Sequence, residues 1–456
     1  MGLLRGIGRS NPESPYNMWY GVEGDHSSLD YKLKRVGNLD LHRSLPIQSR
    51  LRRFVENADG SVKYYLHGND SRKREDGSPA TIDSTDGNVM LEIPEYYTKF
   101  EVSGTKWMFA ISEYPLPGFI KQERKTISPW YSTIDSQTNT AVSGCFLTWR
   151  GNSIARNEQG LIIYTQGAER YRGGGGLSDA GLDNTPKSQV GMARTGVSRD
   201  NVRAACKLGT HHGSYRAYNQ IAWLQRIEYA SLHCQDEFQP NLALGGFKSG
   251  GLGIGCAVPQ SELAGWNGYR PFVPSGVTAT LGNQTGRVVY SIKGWNNTPE
   301  KIIQVTSYRG LETPFEYLWL QADDLFVLNM LTGGVKESWA YVCSEPSGFS
   351  TPELTSANSD APAGYERIAS LPTESGYVKA ISVSSQGYGF PMSLGGSSVT
   401  GSCDGVSAPS YFSSKWVHGL LSGPSHDGGK CGFGCIATYR EVNISHEDYA
   451  FRLCRG

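Results

Sequence analysis

The chain has 456 residues with 43 Lys and Arg against 43 Asp and Glu, so it carries no global field that would draw it onto nucleic acid or an anionic membrane. A mean hydropathy of −0.40, with no apolar run near the ~20 residues a spanning helix needs, excludes a transmembrane helix. Hydrophobic residues at 38% and aromatics at 11% exclude a disordered chain, while 56 glycines and 22 prolines predict many turns and irregular connections.

The N-terminal MGLLRGIGRSNPESPYNMWYG has Arg5 and Arg9 but no apolar core followed by a small-residue cleavage site, so secretion is not expected. From His42 to Phe54 the chain carries Arg43, Arg50, Arg52 and Arg53 without one acid. Two readings are open: a docking surface for an acidic partner, or a solvated edge strand that its charges keep from pairing. The polar stretch from Asn69 to Asn88 reads as an exposed loop or linker, which places a boundary between a small β-rich region, 1–88, and a larger domain, 89–456.

From Val89 the texture changes to short strand-like runs, VMLEIPEYYTKFEV and TKWMFAISEYPLPGF. The four glycines from Gly173 to Gly176 fit no regular element and imply a mobile loop or a close backbone approach. Two helices follow. Ser198 can cap RDNVRAACKL, with Val202, Ala205 and Cys206 on one side and Gly209 placed to end it. The second, Tyr215 to Phe238, sets Ile221, Leu224, Ile227 and Leu232 at helical spacing with Trp223 beside them. After it come some 200 residues without a third strong helix, where loops are expected around short alternations such as GRVVYSI and ERIASL. The architecture expected from these elements is α+β: two helices against a small twisted antiparallel sheet, with a loop-rich remainder.

Catalytic signatures are absent from the sequence: no G-x-S-x-G elbow, H-E-x-x-H, P-loop or paired zinc cysteines. GGLGIG, Gly250 to Gly255, lacks dinucleotide spacing and reads as a turn. His211 and His212 are either metal ligands or a polar turn between the helices. Nine cysteines, six of them scattered from Cys145 to Cys403 and three bunched as Cys431, Cys435 and Cys454, point to reduced, buried thiols in a protein made in a cytoplasm. Cys431 and Cys435 are either a soft-metal or redox pair or structural thiols. No dense Asp/Glu/Asn loop suggests Ca²⁺, and no metal or cofactor is expected.

Three blocks occur in a fixed order: AWLQRIEYASLH (Ala222 to His233), YRGLETPFEYLWLQADD (Tyr308 to Asp324) and KWVHGLLSGPSHDGGKCGFGCIATYREVNISHEDYAFRLCRG (Lys415 to Gly456). Together they resemble the formylglycine-generating-enzyme-like superfamily, which has a C-type lectin fold. Within it the chain looks most like the variable proteins of diversity-generating retroelements and the related tail-tip receptor-binding proteins of phages. WYGVEGD, RVGNLDLHRSLPIQSR, VMLEIPEYYTKFE and SEYPLPGF are similar to that subgroup as well.

The resemblance implies that Gly423, Gly428, Gly432, Arg452 and Leu453 are scaffold positions. Pro424, His426, Asp427, Lys430, Phe433, Tyr439, Arg440, Glu441, Asn443, Ser445, His446, Asp448 and Tyr449 would then form the ligand-binding set. The residues support this independently. From Ser422 to Tyr449 nearly every chemical type occurs without period 2 or 3.6, and Tyr, Arg and His are common at binding hot spots.

The function implied is a non-enzymatic receptor-binding protein of a phage tail, made in the host cytoplasm. It would present this face to a bacterial surface protein or glycan, with residues 1–88 serving attachment to other tail proteins or oligomerisation. A homo-oligomer, with a trimer favoured, follows from the same resemblance, and neither nucleic-acid binding nor membrane insertion is expected. Two alternatives are a formylglycine-generating-type oxidoreductase using Cys431 and Cys435, and a bacterial surface adhesin of the same fold. The enzyme's C-x-x-x-x-C spacing and R-G-G-S-W block are missing, replaced by GKCGFGC and KWVHGLL.

Overall fold

Val, Ile, Tyr and Phe recur here in short runs bounded by Gly, Pro and Asn, and such runs pair into ribbons wherever a turn brings them together. The computed structural model describes residues 17–135, 138–145, 155–156, 162–163, 193–259, 272–292, 301–352, 361–446 and 448–456. The Gly173–Gly176 run and residues 1–16 lie outside these. Among the described residues, thirty strands stand against three α-helices: α1 (Leu39–Ser44), α2 (Arg199–Ala205) and α3 (Tyr215–Tyr229).

The fold is β-rich, and the expectation of an α+β C-type lectin fold is overturned. Nearly all strand pairings are antiparallel, and the stretch after α3 that was expected as loops carries strands from Gly286–Ile292 to Leu453–Arg455. Many of these strands span only two or three residues, too few to show a period. Others are covered on both faces, as in Leu325–Thr332, whose first five residues are all buried.

α2 is capped as its sequence suggests, with the Ser198 side chain accepting from the Asn201 amide. α3 is shorter than its pattern. It stops at Tyr229 because Ala230 turns left-handed at φ 49°, after which the Leu232 amide donates to the Tyr31 carbonyl at 2.9 Å. Its Trp223 stacks on Phe109 with ring centroids 4.0 Å apart, which seats the helix on the N-terminal sheet. α1 has no long pattern to announce it and rests on its Asn38 cap.

The sheets run across residue 88. Trp19–Asp25 pairs with Lys106–Ser112, and Arg52–Glu56 pairs with Val89–Ile93. Both readings of the arginine run therefore need correction. Arg52–Glu56 lies inside a seven-stranded sheet, not at its edge. Arg53 is fully buried, donating to the Gly310 carbonyl and to the Ser71 and Thr278 hydroxyls. Arg43, Arg50 and Arg52 face Asp40, Glu113 and Glu75. Part of the expected linker likewise forms a strand, Asp70–Arg74.

The last two strands are locked into the molecule. Tyr449–Ala450 pairs in parallel with Trp319–Leu320, and Leu453–Arg455 lies between Lys125–Ile127 and His211–His212. Between these pairings Arg452 is buried, donating to the carbonyls of Ser128 (3.1 Å), Glu312 (2.6 Å) and Thr313 (3.1 Å) beneath the Tyr131 ring. Arg452→Ala strands three buried carbonyls and is expected to lower stability by about 3 kcal/mol, read as a fall in the urea midpoint, with partial recovery in Arg452→Lys.

Candidate functional site

Twelve of the thirteen candidate residues occupy two segments at the C-terminal end, a turn at 424–430 and a loop at 439–446 and 448–449, and Phe433 lies between them in the strand Gly432–Ala437. The turn closes by local hydrogen bonds: Asp427 amide to Pro424 carbonyl, Lys430 amide to Asp427 carbonyl, and Cys431 amide to Gly428 carbonyl. Gly423 (φ 75°) and Gly428 (φ 54°) supply the left-handed backbone it needs. His426, Asp427 and Lys430 are half-buried on it, whereas Pro424 is buried.

The loop leaves the strand Gly432–Ala437 and runs beside Lys415–His418. His418 donates its amide to the Arg440 carbonyl at 2.8 Å, and its Nε2 lies 3.2 Å from the Ile444 carbonyl. Lys415 pairs with Glu441 at 3.2 Å, and the Gly196 amide donates to the His446 carbonyl at 2.9 Å. Backbone and side chains thus pin the loop between Arg440 and His446. Asn443 and Ser445 are exposed, and Tyr439, Arg440, Glu441 and His446 are half-buried. The Arg440 guanidinium sits 5.0 Å from the Tyr439 ring centroid, and burial pushes the Tyr439 hydroxyl above its ordinary range. The turn carries His426, Asp427 and Lys430, and the loop carries Arg440, Glu441 and His446, so each is of mixed charge.

Four members of the set point inward. Phe433 packs against Tyr218, Tyr308 and Phe315. Tyr449 is 1% exposed between the His418 and His446 rings, Asp448 contacts His446 Nδ1 underneath, and Pro424 lies below the turn. Their types matched a recognition surface, but a linear sequence does not show which way a short strand turns its side chains. Conversely, Tyr411, 90% exposed just before the Lys415 strand, was missed; its only signal was an aromatic pair inside a Pro/Ser-rich segment.

Two buried acids support the face from below. Asp404 accepts the Gly434 amide at 3.0 Å and lies 3.8 Å from Arg226; a Cβ at Gly432 or Gly434 would collide with its carboxylate. Glu316 accepts from the Gly255 amide at 2.6 Å and from Gln235 Nε2 at 2.9 Å, and that same Gln235 nitrogen donates to the Gly428 carbonyl. Burial pushes both carboxyls up to about 7.

The two cysteines of the alternative reading are also enclosed. Cys431 Sγ donates to the Pro424 carbonyl at 3.2 Å, and Cys435 packs with Trp319, Leu420 and Tyr449. Burial pushes both thiols well above their ordinary range, so they are held as thiols where nucleophilic or metal chemistry needs thiolates. His211 and His212 form a buried strand against Leu453 and Cys454, not a polar turn, and desolvation holds His212 down near 3 and neutral. Among the described residues no group of three or more His, Cys, Asp and Glu is placed to hold a metal ion. The chain matches no family model and no curated protein.

Two outcomes are expected. Asp404 ionises near 4 when unfolded and near 7 when folded, so the folded state binds the extra proton between those values, and stability falls as pH rises from about 4 to 7. Urea titrations across that range should show the decline, with the Asp404 share reaching up to about 4 kcal/mol and disappearing in Asp404→Asn. Iodoacetamide at pH 8 should leave Cys431 and Cys435 unmodified in the native chain and label both in urea, as read by peptide mass mapping.

Proposed function

We propose that the chain is a host-adhesion protein of a phage tail that acts by binding and not by catalysis, its partner being a protein or glycan on the bacterial surface. The observation that carries the proposal is the 439–446 loop. It carries half-buried Arg440 and Glu441 and exposed Asn443 and Ser445, with the Arg440 guanidinium over the Tyr439 ring, on a backbone held by Lys415–His418 and by Gly196. A pinned loop of mixed chemistry binds without first losing its own conformational entropy, and Tyr and Arg supply contact area and hydrogen bonds. The resemblance of the three ordered sequence blocks to tail receptor-binding proteins supports the same assignment, and several copies on one particle would convert weak single contacts into firm attachment.

The side chains that do the recognising are then Arg440, Asn443 and Ser445. Tyr439 contributes doubly, because it packs against the Trp319 cluster as well as lying under Arg440. The test is flow cytometry of labelled chain on host bacteria. Arg440→Ala and Asn443→Arg should each weaken cell binding by about 1–3 kcal/mol and leave the thermal midpoint in place, whereas Tyr439→Ala lowers both. Undiminished binding by the Arg440 and Asn443 variants would sink the assignment.

A further inference from the structure

A second surface uses none of those residues. Between the segment Tyr31–Arg35, the end of α3 and the loop 236–250 lies an open cleft of about 460 Å³. Its floor is fixed and partly apolar: Leu33 and Ala230 are buried there, joined by the Leu33 amide donating to the Ala230 carbonyl, with Tyr229 beside them.

At the rim of this hollow stands a knob. Leu244 is 102% exposed, and Leu242 next to it is 58% exposed. The knob is not slack. The Ala243 amide donates to the Phe247 carbonyl and the Gly246 amide to the Ala243 carbonyl, closing a tight turn that Gly245 (φ 90°) and Gly246 (φ 81°) make possible. Arg35 and Arg43 each place a guanidinium 4.8 Å from the Phe247 ring centroid; Arg43 also donates to the Gly245 carbonyl and Arg35 to the Lys248 carbonyl. Six interactions therefore hold a bare leucine out in water, at a hydrophobic cost that a mobile tip could relieve and a pinned one cannot.

The charges about the cleft indicate what covers it. Lys32 and Lys248 line it together with Asp236 and Glu237, and the side chains of Lys32, Glu237 and Lys248 have no ion pair among the described residues. A partner of one sign would meet like charges on half of this rim. A second copy of the same patch meets both signs with both signs, and brings a leucine knob for each hollow.

We propose that this patch joins two copies of the chain about a two-fold axis, Leu244 of each copy entering the cleft of the other. The inference does not rest on the adhesion proposal, and the two fail separately, one in solution assembly and the other in cell binding. Sedimentation velocity of the full chain from roughly 1 to 100 µM should show a species of twice 49.8 kDa growing with concentration. Leu244→Asp, at a site where the fold has no contact to lose, and Lys32→Glu, on the opposite wall, should each raise the dimer dissociation constant by about tenfold or more with an unchanged thermal midpoint. A single 49.8 kDa species at every concentration, an assembly of another stoichiometry, or association that both variants leave intact would overturn it.

Discussion

The buried guanidinium of Arg452 is the interaction on which the rest of the architecture depends. It is held by carbonyls of Ser128, Glu312 and Thr313, which belong to segments far apart in sequence. The residues on either side of it pair with Trp319–Leu320, Lys125–Ile127 and His211–His212. A cation in the interior needs its donors satisfied, and here that need holds two sheets together at the end of the chain, one reached through Tyr449–Ala450 and the other through Leu453–Arg455. Glu312 adds a second lock nearby, its carboxylate accepting from the Gly276 and Thr278 amides and the Thr278 hydroxyl.

The candidate face inherits its stiffness from that arrangement. Because the strand after the 439–449 loop is locked into the core, and the strand before it passes over Asp404, the loop is anchored at both ends. The glycines at 432 and 434 are there because the Asp404 carboxylate occupies the space a side chain would need. Asp404 and Glu316 thus act as spacers and hydrogen-bond acceptors beneath a surface whose outward side chains can vary without disturbing them.

What was legible in the chain were the features that follow from local chemistry. Ser198 capped its helix, Ile221, Leu224 and Ile227 fell within α3, which is buried on nearly every side and not along that face alone, and runs such as GRVVYSI became strands. What was not legible came from pairing at a distance. The arginines of residues 43–53 resembled a solvated run, yet Arg53 sits in an interior strand because Gly310, Ser71 and Thr278, remote in sequence, supply its acceptors. The helical pattern beyond Tyr229 was real in spacing but lost to the contact between Leu232 and Tyr31.

By itself the sequence determined a neutral, well-furnished chain with short β-prone runs, abundant turn glycines and a C-terminal segment of mixed chemistry, because composition, capping and turn preference act over a few residues. Tertiary structure alone decided that these runs outweigh the helices, that Phe433, Asp448 and Tyr449 face inward while Asn443 and Ser445 face outward, and that Leu244 stands beside a hollow. The physical reason is that a two- or three-residue strand has no period of its own. Which of its sides meets water is set by the partner it pairs with, and those partners lie tens to hundreds of residues away.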